Sequence, residues 1–109
     1  MPASLTGKQR RFLRALAHPL KPVVQIGHAG LTPTVLSAID VALESHELIK
    51  VKVGGEEQAA RDLIPEIEKA TKSAVAQVIG HVLVVYRRRT KDPKILLPKA
   101  KPDAGDEEE

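Results

Sequence analysis

Residues 22–33 read Pro-Val-Val-Gln-Ile-Gly-His-Ala-Gly-Leu-Thr-Pro. A short β-branched run, Val23 to Ile26, closes in Gly27-His28-Ala29-Gly30. Thr32 then offers an N-cap hydroxyl, and Pro33 suits a first helical position, where an N–H would have no intrahelical partner. The stretch therefore predicts strand, tight glycine turn and helix N-terminus in immediate succession. Glycines carry no Cβ, so the turn's amides can approach a ligand closely, and the positive end of the following helix favours an anion such as phosphate. The same Gly-x-x-Gly also serves a plain turn that needs positive φ. The surrounding charge has to separate the two readings.

Upstream, Thr6 can cap a helix running to about His18, with Phe12, Leu13, Leu16, Ala17 and Leu20 on one stripe and Lys8, Arg11 and Arg14 on another. Pro19 stops it. Downstream, Val35, Leu36, Ile39 and Leu43 stripe a second helix to about Ser45. Residues 47–53 alternate, with Ile49, Val51 and Val53 on one face and Lys50 and Lys52 on the other, which predicts a strand with one core face and one wet face. After Gly54-Gly55, residues 56–71 stripe a third helix, with Pro65 inside it as an expected bend. Ala74 to Ile79 and Val82 to Arg87 read as two strands joined by Gly80-His81, suited to a type II′ hairpin, and Ile95 to Leu97 as a short extended piece. The expected fold class is α/β: a compact α-β-α-β-α-β-β domain over residues 1–97 with a small mixed four-stranded sheet. Residues 98–109 hold almost nothing to bury and are expected to form a disordered acidic tail.

Composition narrows the function. The chain has 109 residues, 42% of them hydrophobic, enough for one core burying about 65% of the unfolded surface. No apolar run suits a bilayer, and the first residues lack the apolar stretch of a secretory signal, so no membrane and a cytoplasmic location are expected. With no cysteine and four histidines lacking ligand spacing, neither a metal nor any other cofactor is expected. The serines sit in no nucleophile context, His46 and His81 read as turn or helix-end residues, and the acidic middle reads as a solvated helix face. A non-enzyme without a small-molecule substrate is expected.

The net charge of +3 conceals segregation: residues 1–21 carry five basic and no acidic side chains, and residues 87–94 carry five basic against Asp92 alone. Where the two tracts meet in space they form one basic face, the footprint of a polyanion binder. Phe12 and Tyr86 are the only aromatic residues. A stacking platform for unpaired bases is therefore out of reach, and nucleic acid would be held through phosphates, sugars and shape.

Four blocks together carry a family resemblance: Leu5-Thr-Gly-Lys-Gln-Arg-Arg-Phe-Leu-Arg, Lys21-Pro-Val-Val-Gln-Ile-Gly-His-Ala-Gly-Leu-Thr, His46-Glu-Leu-Ile-Lys-Val-Lys-Val and Gln77-Val-Ile-Gly-His-Val-Leu-Val-Val-Tyr-Arg. In this order they resemble the YhbY-type CRM domain (chloroplast RNA splicing and ribosome maturation) over about Leu5 to Pro98. The resemblance implies a fold similar to the C-terminal domain of bacterial translation initiation factor 3, RNA binding through a KH-like GxxG loop, and association with precursors of the large ribosomal subunit. Pro65 and the acidic tail depart from the family pattern.

The resulting expectation is a monomeric protein that binds structured ribosomal RNA. Gly27, His28, Ala29 and Gly30 would meet phosphate, and Lys8, Arg10, Arg11 and Arg14 would neutralise backbone charge, with Lys50, Lys52, Arg87, Arg88 and Arg89 as further candidates. The alternative is a protein-interaction module docking on a ribosomal protein or translation factor through its sheet face.

Overall fold

A computed structural model describes residues 5–27, 29–55 and 57–98. The elements are α1 (Gly7–Ala17), β1 (Pro22–Ile26), α2 (Pro33–His46), β2 (Leu48–Val53), α3 (Glu57–Thr71), β3 (Ala74–Ile79) and β4 (Val82–Tyr86). The order matches the α-β-α-β-α-β-β expectation. His28 and residues 99–109 of the expected tail lie outside the described residues.

Local chemistry accounts for the boundaries. Thr6 and Gln9 form a reciprocal capping box at α1: the Thr6 hydroxyl accepts from the Gln9 amide at 3.1 Å, and Gln9 Oε1 accepts from the Thr6 amide at 3.0 Å. At α2 the Thr32 hydroxyl accepts from the Val35 amide at 3.1 Å, with Pro33 at the first position. The β3–β4 hairpin turns through Gly80 at φ 61 while His81 keeps negative φ, the pattern of a type II′ turn. Residues 95–97 form no strand. Ile95 and Leu97 instead pack against the cluster beneath α1.

The four strands lie in the order β1-β2-β4-β3, with β1 parallel to β2 and the other pairs antiparallel. Two helices cover one face, burying Ile26, Ile39, Leu43, Ile49, Val51, Ile67, Leu83 and Val85. The other face differs from the expectation of a wet surface. There α1 crosses the sheet and seats Leu13 and Ala17 on Leu48, Ala76, Val84 and Tyr86. Alternation along β2 puts Leu48, Lys50 and Lys52 on this same face, so the strand passes from beneath α1 into solvent: Leu48 is buried, Lys50 half-buried and Lys52 exposed.

α3 runs unbroken through Pro65, which is exposed. Proline inside a helix removes a backbone donor and costs up to about 3 kcal/mol relative to alanine. Pro65→Ala is accordingly expected to hold or raise the thermal midpoint. A fall in the midpoint would show that proline's rigidity or the local bend contributes more than the missing donor.

A basic and glycine-lined candidate nucleic-acid interface

The parallel strands β1 and β2 end side by side, with Ile26 opposite Val53, and each runs into a glycine turn leading to a helix. The Gly54 amide donates to the Ile26 carbonyl at 2.9 Å, and Gln25, Ile26, Gly27, Gly54 and Gly55 line a cleft of about 320 Å³ between the turns. The β3–β4 hairpin closes the same end, since Val53 and His81 are joined by a 2.8 Å backbone bond and a 2.7 Å ring-to-carbonyl bond. In open α/β sheets ligands bind in this position, beyond the carboxyl ends of parallel strands.

Within Gly27–Gly30, the Gly30 amide donates to the Gly27 carbonyl at 3.0 Å, and Gly30 takes φ 72. Gly30 is thus required by the turn. Gly27 is different, because its φ lies outside the left-handed region and an added Cβ would meet nothing within 4 Å. Neither backbone strain nor crowding in the free domain accounts for glycine there. Around the N-terminus of α2 the amides of Ala29, Leu31 and Thr34 meet no acceptor among the described residues.

Positive charge adjoins this end. Gln25 is paired with Lys52, two residues before the loop starts, and both lie on the face crossed by α1. Lys50 Nζ lies 3.4 Å from the His18 carbonyl, tying β2 to the end of α1, where Arg11, Arg14, Ala15 and His18 line a shallow open surface. Lys8, Arg11, Arg14 and Lys52 are exposed, and none of them enters an ion pair among the described residues.

Other basic candidates are placed elsewhere. The register shift in β3 between Val75 and Gln77 frees two edge carbonyls, and Arg10 Nη1 donates to both, at 2.9 Å to Val75 and 3.1 Å to Ala76. Arg87 turns toward α2, pairing with Asp40 at 2.6 Å and Glu44 at 3.3 Å while donating to the Thr71 carbonyl, and its side chain is only 19% exposed. Arg88 is exposed, whereas Arg89 is half-buried with Nε lacking a partner among the described residues. Because Tyr86 pairs with Leu48 at the start of β2, this second basic tract begins a strand length, about 20 Å, from the glycine loop. The two basic tracts therefore do not converge on the loop; α1 and β2 supply the charge beside it.

One residue beyond the sequence expectation organises that far end. Glu47, read above as the first strand residue, is the C-cap of α2 at φ 63 and is 1% exposed. Its carboxylate accepts from the backbone amides of Arg89 at 2.9 Å, Lys94 at 2.7 Å and Ile95 at 2.9 Å. Burial by itself pushes this carboxyl up, but the three donors and the Arg89 charge outweigh it and hold the group below its ordinary value of 4.5. Burial and the Glu47 charge together push the neighbouring Tyr86 hydroxyl up, against a smaller opposing effect from Arg88. Among the described residues no cluster of histidine and carboxylate side chains has metal-binding geometry, and no helix is long and apolar enough to cross a membrane.

Residues 5–87 match the family model of the CRS1 / YhbY (CRM) domain. The chain belongs to the CRM domain family. This CRM domain is 50% identical over 97 residues to a Haemophilus influenzae protein named RNA-binding protein, a match covering 88% of this chain and 97% of the relative. A Bacillus subtilis relative is 40% identical over 95 residues, covering 86% of this chain and 99% of its own. The solution structure of a hypothetical protein from Staphylococcus aureus superposes with a TM-score of 0.78 at 42% identity, covering 87% of this chain and all of that one. The matched region ends at Arg87, so the segment clasped by Glu47 lies just beyond it.

Proposed function

We propose that this CRM domain binds structured RNA through its phosphates, with the Gly27–Gly30 turn and the N-terminus of α2 receiving one phosphate and Lys52, Arg11, Arg14 and Lys8 neutralising its neighbours. The observation that carries the reading is Gly27, a glycine with no conformational or steric need in the free domain, set beside amide donors and cations that have no partner among the described residues. Bare backbone at that point lets a phosphate oxygen approach the amides, and the dipole of α2 favours its charge. The aromatic residues support backbone and shape readout over base stacking, since Tyr86 is buried and Phe12 is partly buried against the α1 cluster. The name of the Haemophilus influenzae relative, RNA-binding protein, agrees in kind.

The RNA we assign is ribosomal RNA in precursors of the large subunit, met in the cytoplasm by a monomeric, non-enzymatic protein. Crosslinking in cells followed by sequencing of the bound RNA tests this directly. Enrichment of large-subunit precursor RNA is expected, and a crosslink profile that follows total RNA abundance would contradict it.

Replacing Arg11 and Arg14 together with alanine is expected to weaken binding about tenfold for all structured RNAs alike. The slope of affinity against salt should fall by about 0.7 to 0.9 for each phosphate that is no longer neutralised. A protein-docking reading would place the partner on the apolar groove of Leu16, Leu20, Val23, Leu48 and Ile95 at the opposite end of the sheet. Such an interface would show little salt dependence, so a flat salt titration of the wild-type chain would favour it.

A further inference from the structure

The described chain finishes against the start of α1. Gln9, already held by the capping box, donates from Nε2 to the Pro98 carbonyl at 2.9 Å across 89 residues of sequence. The first turn of α1 carries no acidic residue, and Lys8 stands in it, so the positive end of the helix dipole has no acidic side chain of its own turn. Arg11 and Arg14 continue that charge along the helix, without an ion pair among the described residues. From this anchor the sequence goes on as Lys-Ala-Lys-Pro over residues 99–102, then Asp-Ala-Gly-Asp-Glu-Glu-Glu over residues 103–109.

We propose that the acidic segment 103–109 binds the basic flank of α1 and competes there with RNA. The reach suffices. Four linking residues span up to about 13 Å and the whole stretch up to about 36 Å, whereas eleven helical residues rise only about 16 Å. The charges are complementary, five acids against Lys8, Arg11 and Arg14, and Lys99 and Lys101 of the linker offset only two of the five, leaving the stretch at a net −3. Tethering at Pro98 gives the segment an effective concentration in the millimolar range, so individually weak, screened contacts still compete. Because the anchor lies at α1, the segment displaces phosphates bound by charge along that helix and leaves the Gly27–Gly30 turn to the cognate RNA. The effect is discrimination against polyanions that meet α1 alone.

The competition rests on the RNA reading above, whereas the contact itself does not, and the test separates them. The full chain is compared with a full-length variant carrying Asp103→Asn, Asp106→Asn, Glu107→Gln, Glu108→Gln and Glu109→Gln. Amide resonances are recorded without RNA, and affinity for a labelled RNA hairpin of unrelated sequence is measured by anisotropy. At low salt the resonances of Lys8 through Arg14 should differ between the two proteins and should converge as salt is raised. The neutralised variant should bind the hairpin about three- to tenfold more tightly at low salt, with the gap closing as salt screens the tail. Coincident α1 resonances, or differences confined to other elements, would overturn the proposal even where both proteins bind RNA equally. Shifted α1 resonances with no RNA binding by either protein would uphold the contact and remove the RNA reading instead.

Discussion

Aspartate at both His28 and Ala29 is expected to lower RNA affinity by at least about 100-fold while leaving the domain folded. A carboxylate about 4 Å from a phosphate near a protein surface is repelled by roughly 4 kcal/mol, more than the factor of 100 requires, and two are being added. The fold should tolerate them, because acidic side chains at a helix N-terminus stabilise by about 0.3 to 1 kcal/mol and Gly30, which carries the φ 72 of the turn, is untouched. A gentler companion is Gly27→Ala, whose Cβ would meet nothing within 4 Å in the free domain and so should cost little stability. It should still weaken RNA binding by keeping a phosphate away from the backbone. Fluorescence anisotropy with a structured RNA, alongside circular dichroism, measures both effects. A folded double-aspartate variant that keeps wild-type affinity would reduce the two glycines to a turn.

The second large effect concerns Glu47. Its alanine variant strands three backbone donors, Arg89, Lys94 and Ile95, that the buried carboxylate now satisfies. Charge-assisted bonds contribute about 1.5 to 3 kcal/mol each where no water replaces them, and partial hydration of the freed segment offsets some of that. A net loss of about 3 kcal/mol is expected, with a fall in thermal midpoint of about 10 °C or more. Glu47→Gln should lose less, since Oε1 can still accept from Lys94 and Ile95 while its NH₂ faces the Arg89 amide. The folded-state carboxyl titrates below its ordinary 4.5, so the stabilisation is complete above that value and disappears as pH falls through the lower, folded-state value. The alanine variant should therefore lose the part of the acid sensitivity due to this group. A midpoint within about a degree of wild type would mean that Ile95 and Leu97 hold the segment by apolar contact alone.

Local signals made most of the fold legible. Thr6, Thr32 with Pro33, and Gly80-His81 each state a boundary locally, and the structure places a cap or turn at all three, adding Gln9 as the reciprocal partner of Thr6. Alternation along residues 49–53 gave the correct facing of β2 but not the cover over its lysine side, because α1 reaches that face through a crossing that no local pattern encodes. The same limit applies to charge. Arg10 and Arg87 look identical in sequence to Arg11 and Arg88, yet the first two are spent on carbonyls and carboxylates 16 to 66 residues away. Glu47 is the extreme case, a lone acid ahead of an apolar strand whose partners lie 42 to 48 residues downstream. Its positive φ at the α2–β2 corner had no glycine or asparagine to announce it. The glycine loop was readable as a turn, and only the folded backbone distinguishes Gly30, needed for φ, from Gly27, which is not.

In the proposed function, RNA lies on the end of the sheet where Gly27–Gly30 meets Lys52 and the basic flank of α1. Titrating the isotopically labelled protein with a structured RNA and following its amide resonances tests this most directly. Perturbations are predicted in Gly27 through Val35, along Lys8 to His18 and at Lys52, with little change in α3 beyond its first turn. Perturbations confined to the groove of Leu16, Leu20, Val23 and Ile95, or to Arg88 and its neighbours, with the glycine loop unmoved, would contradict it.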